Sequence, residues 1–484
     1  MSQEVRNLEP QGVWNMFADL NAVPRPSKKE ERVIEFMVNF GKSLNLETQT
    51  DAVGNVVIKK PATPGMEDRK TVVLQNHLDM VHQKNNDTVF DFDKQGIDMY
   101  VDGDWVRAKG TTLGADNGLG VSMAMEILAS KEIEHPAIEA LFTIDEETGM
   151  TGAKKLDKNI LSGEILINID TEDDDEITIG CAGGVDTNVT GTYSEEAAPA
   201  NMSGLRITLN GLSGGHSGMD INKGLGNANK LMNRFLLQAV EQHDFCISTI
   251  DGGGLRNAIP RESVVTGGAV KLDAVKKYAR EFEAVLQSEY SAIEPNIKLT
   301  VEEIEAPSKV MPRAQAVTFL QAVYAMPNGV FRMSPELPDL VETSTNLARV
   351  EVGGGKITTH SLQRSSVETQ KADVAAAVRS AYASAGYTVE HSGDYPGWQP
   401  DVESDIKDIM SALYRELFNE EPNVMACHAG LECGIIGTRY PGMEMISFGP
   451  TIKGAHSPDE RASISSLQKS RKLLLETLKR IPLK

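Results

Sequence analysis

Cysteine is scarce in this chain, four in 484 residues, and the four (Cys181, Cys246, Cys427, Cys433) form no CxxC pair. A disulfide framework is thereby excluded, and reduced thiols are expected. Cys427, His428 and Cys433 stand close together, but their spacing fits no standard zinc motif. No stretch of about 18 apolar residues occurs. The opening MSQEVRNLEPQGVWNMF has neither a basic n-region nor an apolar h-region. A cytoplasmic protein without membrane association is the expectation. Basic residues are outnumbered, 48 against 69 acidic ones, and the net charge of −21 repels nucleic acid and anionic lipid. Two Gly-Gly-Gly runs, at 252–254 and 353–355, open no GxxxxGK[ST] segment, so they read as hairpin turns and not as phosphate loops. A Ser or Cys nucleophile motif is also missing.

With 40% apolar residues the chain can bury a large core and should divide into two or more domains. NAVPRPSKKEE reads as a turn followed by a helix from near Ser27. VGNVVIKK, TVVLQ, AIEALFTI and EILINID read as strands around the helix VSMAMEILAS, the alternation of a mixed α/β sheet. Several of these strands are apolar throughout, so helices should cover both faces. A polar stretch rich in Ser, Thr, Ala and Gly follows GCAGG and marks a boundary near 187. From about 203 to 306 the order is β-α-β-β-α-β, and a similar set returns over 313–390. The expected architecture is therefore α/β: a catalytic domain over residues 1–187 and 391–484, interrupted by an α+β lid at 188–390. The lid would be a duplicated ferredoxin-like unit.

Ligand-type residues end the strands of the first domain. NHLDM places His77 and Asp79 after TVVLQ; GTTLGADNGLG places Asp116 in a Gly-rich turn before a helix. AIEALFTI runs into Asp145-Glu146-Glu147, EILINID ends in Asp170, and His456 lies beyond the strand EMISFG. In an open α/β sheet functional groups gather outside the carboxyl ends of the strands, so these segments can converge. Two histidines and three carboxylates suit two divalent ions, zinc first, with one carboxylate bridging. The acidic run from Glu172 to Glu176 reads as a solvated loop.

NHLDMVHQKNNDTVFDF, GTTLGADNGLG, TIDEETGMTGA, GCAGGVD, LSGGHSG, GLRNAIPRE, DYPGWQPD, CHAGLECG and GPTIKGAHSPDE, in this order, resemble the M20 metallopeptidases and most closely their aminoacyl-histidine (Xaa-His) dipeptidase branch. The likeness spans about residues 10–480. It implies that Asp116 bridges two metals, that His77 and Asp170 complete one site, and that Glu147 and His456 complete the other. Asp79 would hold the imidazole of His77. Glu146 would be the general base that takes a proton from a bridging water and returns it to the leaving amine. From the lid, His216 would stabilise an oxyanion and Arg364 would bind the substrate carboxylate, with Asn257, Gly430 and Glu432 lining the substrate pocket. Without the resemblance, His216 reads as structural and Arg364 as a surface strand residue. His82 departs from the family pattern, which has proline there; it reads as a loop substitution able to act as an adventitious ligand. Asp170 is aspartate where deacylases and carboxypeptidases of the family tend to carry glutamate.

The function expected is hydrolysis of Xaa-His dipeptides, carnosine-type substrates included, by two divalent ions (Zn²⁺, with Co²⁺ or Mn²⁺ as alternatives). The rival readings are a less selective dipeptidase, an N-acyl amino acid deacylase, and a peptide-binding protein without turnover. Retention of Glu146 between intact ligands argues against the last. The partners expected are small dipeptides and no nucleic acid or membrane; a homodimer is compatible with the sequence.

Overall fold

A computed structural model describes residues 3–484. The chain divides into two compact units, one formed by residues up to Gly180, Trp398–Ala426 and Leu431–Lys484, the other by Cys181–Gly397 and Cys427–Gly430. The boundaries thus fall at Gly180 and Gly397, earlier than 187 on one side and later than 390 on the other. The polar stretch taken for a boundary begins inside a strand, Gly183–Thr192, paired on both sides with Lys356–Ser365 and Thr388–Tyr395.

The first unit carries a mixed eight-stranded sheet and a smaller four-stranded one. At the centre of the larger sheet Ile138–Thr143, Val72–His77, Ile165–Asn168 and Glu444–Ser447 lie side by side and parallel. The first three of these strands are buried at every position, which is why they read as unbroken apolar runs. The last comes from the far end of the chain and completes a sheet begun four hundred residues earlier in sequence order. The helix expected from near Ser27 begins at Glu31, because Lys28 takes a left-handed φ of 71° that no helix accommodates.

The second unit carries a nine-stranded sheet. Its first half is the β-α-β-β-α-β run from Ser203–Asn210 to Lys298–Ile304, with strands ordered fourth, first, third, second across the sheet. The other half shows the same order in mirror sequence: Val341–Gly353, Lys356–Ser365, Gly183–Thr192, Thr388–Tyr395. Its opening strand precedes the whole first half in the chain, so one half is threaded through the other. The halves join where Cys246–Gly253 pairs with Val341–Gly353. Helices Ala228–His243, Leu272–Glu289, Arg313–Ala325 and Glu368–Ala383 bury Phe235, Phe282, Phe319 and Tyr382 against the sheet. Gly354 and Gly355, with φ of 57° and 78°, make the two-residue turn between Gly353 and Lys356. The other glycine run differs: after Gly253 the chain makes a wide loop before Ser263–Ala269, so it is no tight hairpin.

Among the described residues no helix is long and apolar enough to cross a membrane.

Candidate dinuclear metal centre

The four parallel strands of the first unit deliver their carboxyl ends to one place. His77 is the last residue of Val72–His77 and is 1% exposed. Its Nδ1 lies 3.1 Å from the carbonyl oxygen of Asp79 and 3.4 Å from the Asp79 carboxylate, which leaves Nε2 for a ligand role. That Nε2 lies 3.1 Å from Asp116 Oδ1 and 3.5 Å from Asp170 Oδ1. On the other side of Asp116, Oδ2 lies 3.2 Å from His456 Nε2, which is itself 3.0 Å from Glu147 Oε2. Two groups of donor atoms result, His77 with Asp116 and Asp170, and His456 with Asp116 and Glu147. Each has its atoms within 4.8 Å of one another, and Asp116 belongs to both. Glu146 and Glu147 form a further such group with His77.

Backbone geometry explains how Glu146 and Glu147 are aimed. Asp145 adopts a left-handed φ of 54° and starts the short helix Glu146–Gly149. Its carboxylate accepts from Thr148, Thr151 and, at 2.8 Å, Lys28 Nζ. Asp79 does more than orient His77: its oxygens accept the N–H of Glu146 at 3.0 Å, the N–H of Glu147 at 3.3 Å and the Ser27 hydroxyl at 2.8 Å. Asn117 Nδ2 donates to Asp170 Oδ1 at 2.6 Å and fixes that carboxylate.

The electrostatics are those of a site short of positive charge. Burial, then Asp170 and Glu147, push the Glu146 carboxyl well above its usual range, although His77 opposes them. Burial also raises Asp170, to about 6, and raises Glu147. Hydrogen bonds that the imidazole donates to Asp116 and Glu147 lift His456 to about 11. Burial disfavours a charged His77, but Asp170, Asp116 and Asp79 outweigh it and lift its pKa well above the ordinary value. The Oε1 of Glu147 is buried with no hydrogen-bond partner. Crowded carboxylates, two imidazoles and an unpartnered carboxylate oxygen fit a pair of divalent cations that take mixed nitrogen and oxygen ligands.

Other expectations are placed differently. His82 is exposed, stacks edge-on against Phe92 and joins no candidate metal group. The acidic run is a partly exposed loop as far as Glu176, which opens the strand Glu176–Cys181, and Asp173 and Asp174 pair there with Lys453 at 2.5 Å and Lys469 at 3.1 Å. Glu432 belongs to the first unit and is 1% exposed; its Oε2 accepts from Gln75 at 2.7 Å and Thr143 at 2.6 Å, and burial raises it to about 7. Gly430, two residues earlier, belongs to the second unit.

Within the second unit Arg364 is not a surface residue but 4% exposed, with Nη1 donating to the Tyr395 hydroxyl at 3.0 Å and Nε unpartnered. His216 Nδ1 accepts the N–H groups of Gly218 at 3.2 Å and Met219 at 3.1 Å, so its proton sits on Nε2. Burial and then Arg364 lower its pKa to about 4, keeping that imidazole neutral. Asn257 is exposed, and its carbonyl accepts the Ser217 N–H at 2.8 Å. His428, which the sequence offers only in a spacing that fits no standard zinc motif, is buried, bonds through Nε2 to Ser344 at 2.8 Å, and is lowered to about 3 by burial and then by Arg364. Arg25 and Glu460 went unread in the sequence, though Glu460 stands four residues after His456 in a stretch singled out for its histidine.

The family profile of peptidase family M20/M25/M40 matches residues 73–480. The chain is 44% identical over 483 residues to the cytosol non-specific dipeptidase of Escherichia coli strain K12, covering 99% of this chain and 100% of that protein. The crystal structure of aminoacylhistidine dipeptidase from Vibrio alginolyticus superposes with a TM-score of 0.93 at 44% identity, covering 99% of this chain and 98% of that one. At the level of fold alone, aminopeptidase PepT from Bacillus cereus is similar too, with a TM-score of 0.62 at 16% identity over 98% of this chain and 99% of that one. The chain therefore belongs to peptidase family M20/M25/M40 and is a hydrolase of peptide bonds.

Proposed function

We propose that this chain hydrolyses unblocked Xaa-His dipeptides, carnosine-type substrates with an amino-terminal β-alanine included, in the cytoplasm and with two divalent metal ions. The observation that carries the reading is the placement of Asp116, whose two carboxylate oxygens face two different imidazoles, His77 and His456. His77 and Asp170 would hold one ion, His456 and Glu147 the other, and Asp116 both. Zinc suits this donor set, as do cobalt and manganese. Bound there, the ions would polarise the scissile carbonyl and acidify water.

The chain's own groups do the rest. Glu146, fixed through its N–H to Asp79, takes the proton from the attacking water and passes it to the leaving amine. Its burial suits both steps, because desolvation makes a carboxylate the better proton acceptor. His216 offers Nε2–H to a developing oxyanion, and Arg364, with no carboxylate partner of its own, offers a guanidinium to the substrate's carboxyl group.

A second reading, a dipeptidase that accepts many side chains, is favoured by the name of the Escherichia coli relative, which at 44% identity is a non-specific dipeptidase. Assay of the metal-loaded protein on a panel decides among them. Xaa-His selectivity supports the first reading and flat rates across free dipeptides the second. Cleavage of N-acetylated amino acids at the rate of free dipeptides would establish a deacylase. Binding without turnover would establish a peptide-binding protein.

A further inference from the structure

Four residues past His456 the carboxylate of Glu460, 3% exposed, turns into the loop that carries Asp116. Oε2 accepts the N–H of Leu113 at 2.7 Å and of Gly114 at 3.0 Å; Oε1 accepts the N–H of Ala115 at 2.7 Å and of Asp116 at 3.3 Å. One anion thus receives four consecutive backbone donors. The carbonyl side of the same loop is gripped by Arg25, which is 1% exposed. Its Nη2 donates to Gly114 O at 2.5 Å and to Asn21 Oδ1 at 2.9 Å, while Nη1 donates to Leu78 O at 3.1 Å and Asp79 O at 3.3 Å. Gly114 makes the grip possible. Its φ is 71°, and a Cβ there would lie 2.6 Å from Arg25 Nη2 and 2.8 Å from Met80 Sδ.

The pair ties three segments together: the end of the His77 strand through Leu78 and Asp79, the Asp116 loop from both sides, and the His456 loop through Glu460 itself. Neither side chain hydrogen-bonds to a candidate ligand side chain. Their effect on Asp116 runs through its backbone, since a residue whose own N–H and three preceding N–H groups are held has little freedom to turn its carboxylate. A bridging ligand needs that restriction more than a terminal one does, because a rotation that improves one metal contact spoils the other. An amide in place of the Glu460 carboxylate could not reproduce the grip. It offers one acceptor oxygen and turns its NH₂ toward two N–H donors.

We infer that Glu460, backed by Arg25, is a positioning residue that presents Asp116 to both halves of the metal centre, so that its loss weakens both ions and not the His456 side alone. This rests on the dinuclear reading. The test is a Co²⁺ titration of metal-free full-length protein, followed by visible absorption and by competition with a chelator, for the wild type, Glu460→Gln, Glu460→Asp and His456→Ala. In Glu460→Gln both binding steps should weaken by ~10–100-fold. Activity lost at limiting metal should return as metal is raised, and Glu460→Asp should fall between it and the wild type. His456→Ala should weaken one step. Wild-type affinities in Glu460→Gln, or a defect confined to one step, would overturn the inference. If circular dichroism shows Glu460→Gln unfolded, the same criteria apply to Glu460→Asp. A wild type that binds fewer than two Co²⁺ defeats the dinuclear reading instead.

Discussion

Histidine serves opposite ends in the two units of this molecule. In the first, His77 and His456 face carboxylates and are pulled toward the protonated form, His456 to about 11. In the second, His216 and His428 are lowered to about 4 and about 3 by burial and by the nearby guanidinium of Arg364. One unit has gathered more negative charge than its own side chains neutralise; the other has buried a cation beside neutral imidazoles. The contrast sorts the four histidines by what each surrounding attracts. Those of the first unit lie where metal cations would replace protons, and those of the second lie where an anionic group would balance Arg364.

The largest test of this contrast is removal of cations. A chelator should lower dipeptide hydrolysis by at least ~10³-fold, with Zn²⁺, Co²⁺ or Mn²⁺ restoring it, because the metal ions would supply the polarised carbonyl and the acidified water that hydrolysis needs. Full activity in protein shown metal-free by elemental analysis would break the comparison. Next, Glu146→Gln should cut kcat by ~10²–10⁴ while both metals stay bound, as expected for a lost general base. Glu147→Gln should instead reduce the metal content.

For the cationic side, Arg364→Ala should lower kcat/KM on a free dipeptide by ~10²-fold, near the ~3 kcal/mol cost of stranding a charged group. On the same dipeptide with its carboxyl group amidated, the substitution should change little. Equal losses on both substrates would show that Arg364 does not read the carboxylate. The smallest effect concerns stability. His428 takes up a proton near its ordinary 6.5 when unfolded but only near 3 when folded. Between those values the unfolded chain binds more protons, so stability is present above 6.5 and is lost as pH falls. The loss is on the order of 2 kcal/mol by pH 4.5. Denaturant titrations at pH 7 and pH 4.5 should show a shallower pH dependence in His428→Gln than in the wild type.

The sequence made the candidate ligand segments of His77, Glu147 and Asp170 legible because each ends or follows a strand buried at every position, and polar groups at such an end can share a destination; Asp116, in a Gly-rich turn, and His456, beyond a half-buried strand, carry a weaker signal. It left the holding groups unread. Arg25 sits in a proline-flanked turn and acts through backbone carbonyls of Leu78, Asp79 and Gly114, contacts that carry no side-chain signature. Glu460 likewise bonds only to N–H groups. The half of the second sheet that ends the unit showed its helices and hairpin but not its first strand, because Gly183–Thr192 is separated from them by the entire other half and is half polar. Arg364 looked like a surface residue because alternation along Lys356–Ser365 gives no hint that its last five residues are all buried.

That threading also sets the order in which the protein can take shape on the ribosome. Every strand of the second unit's sheet has been made once Thr388–Tyr395 emerges. The first unit, although it leads the chain, cannot fill the gap between Ile165–Asn168 and Glu176–Cys181 until Glu444–Ser447 appears. The later-starting unit is therefore the earlier to have all its parts, against the usual amino-terminal-first sequence. His456 and Glu460 arrive later still, so a nascent or prematurely terminated chain would expose the peptides around it to no assembled hydrolytic centre.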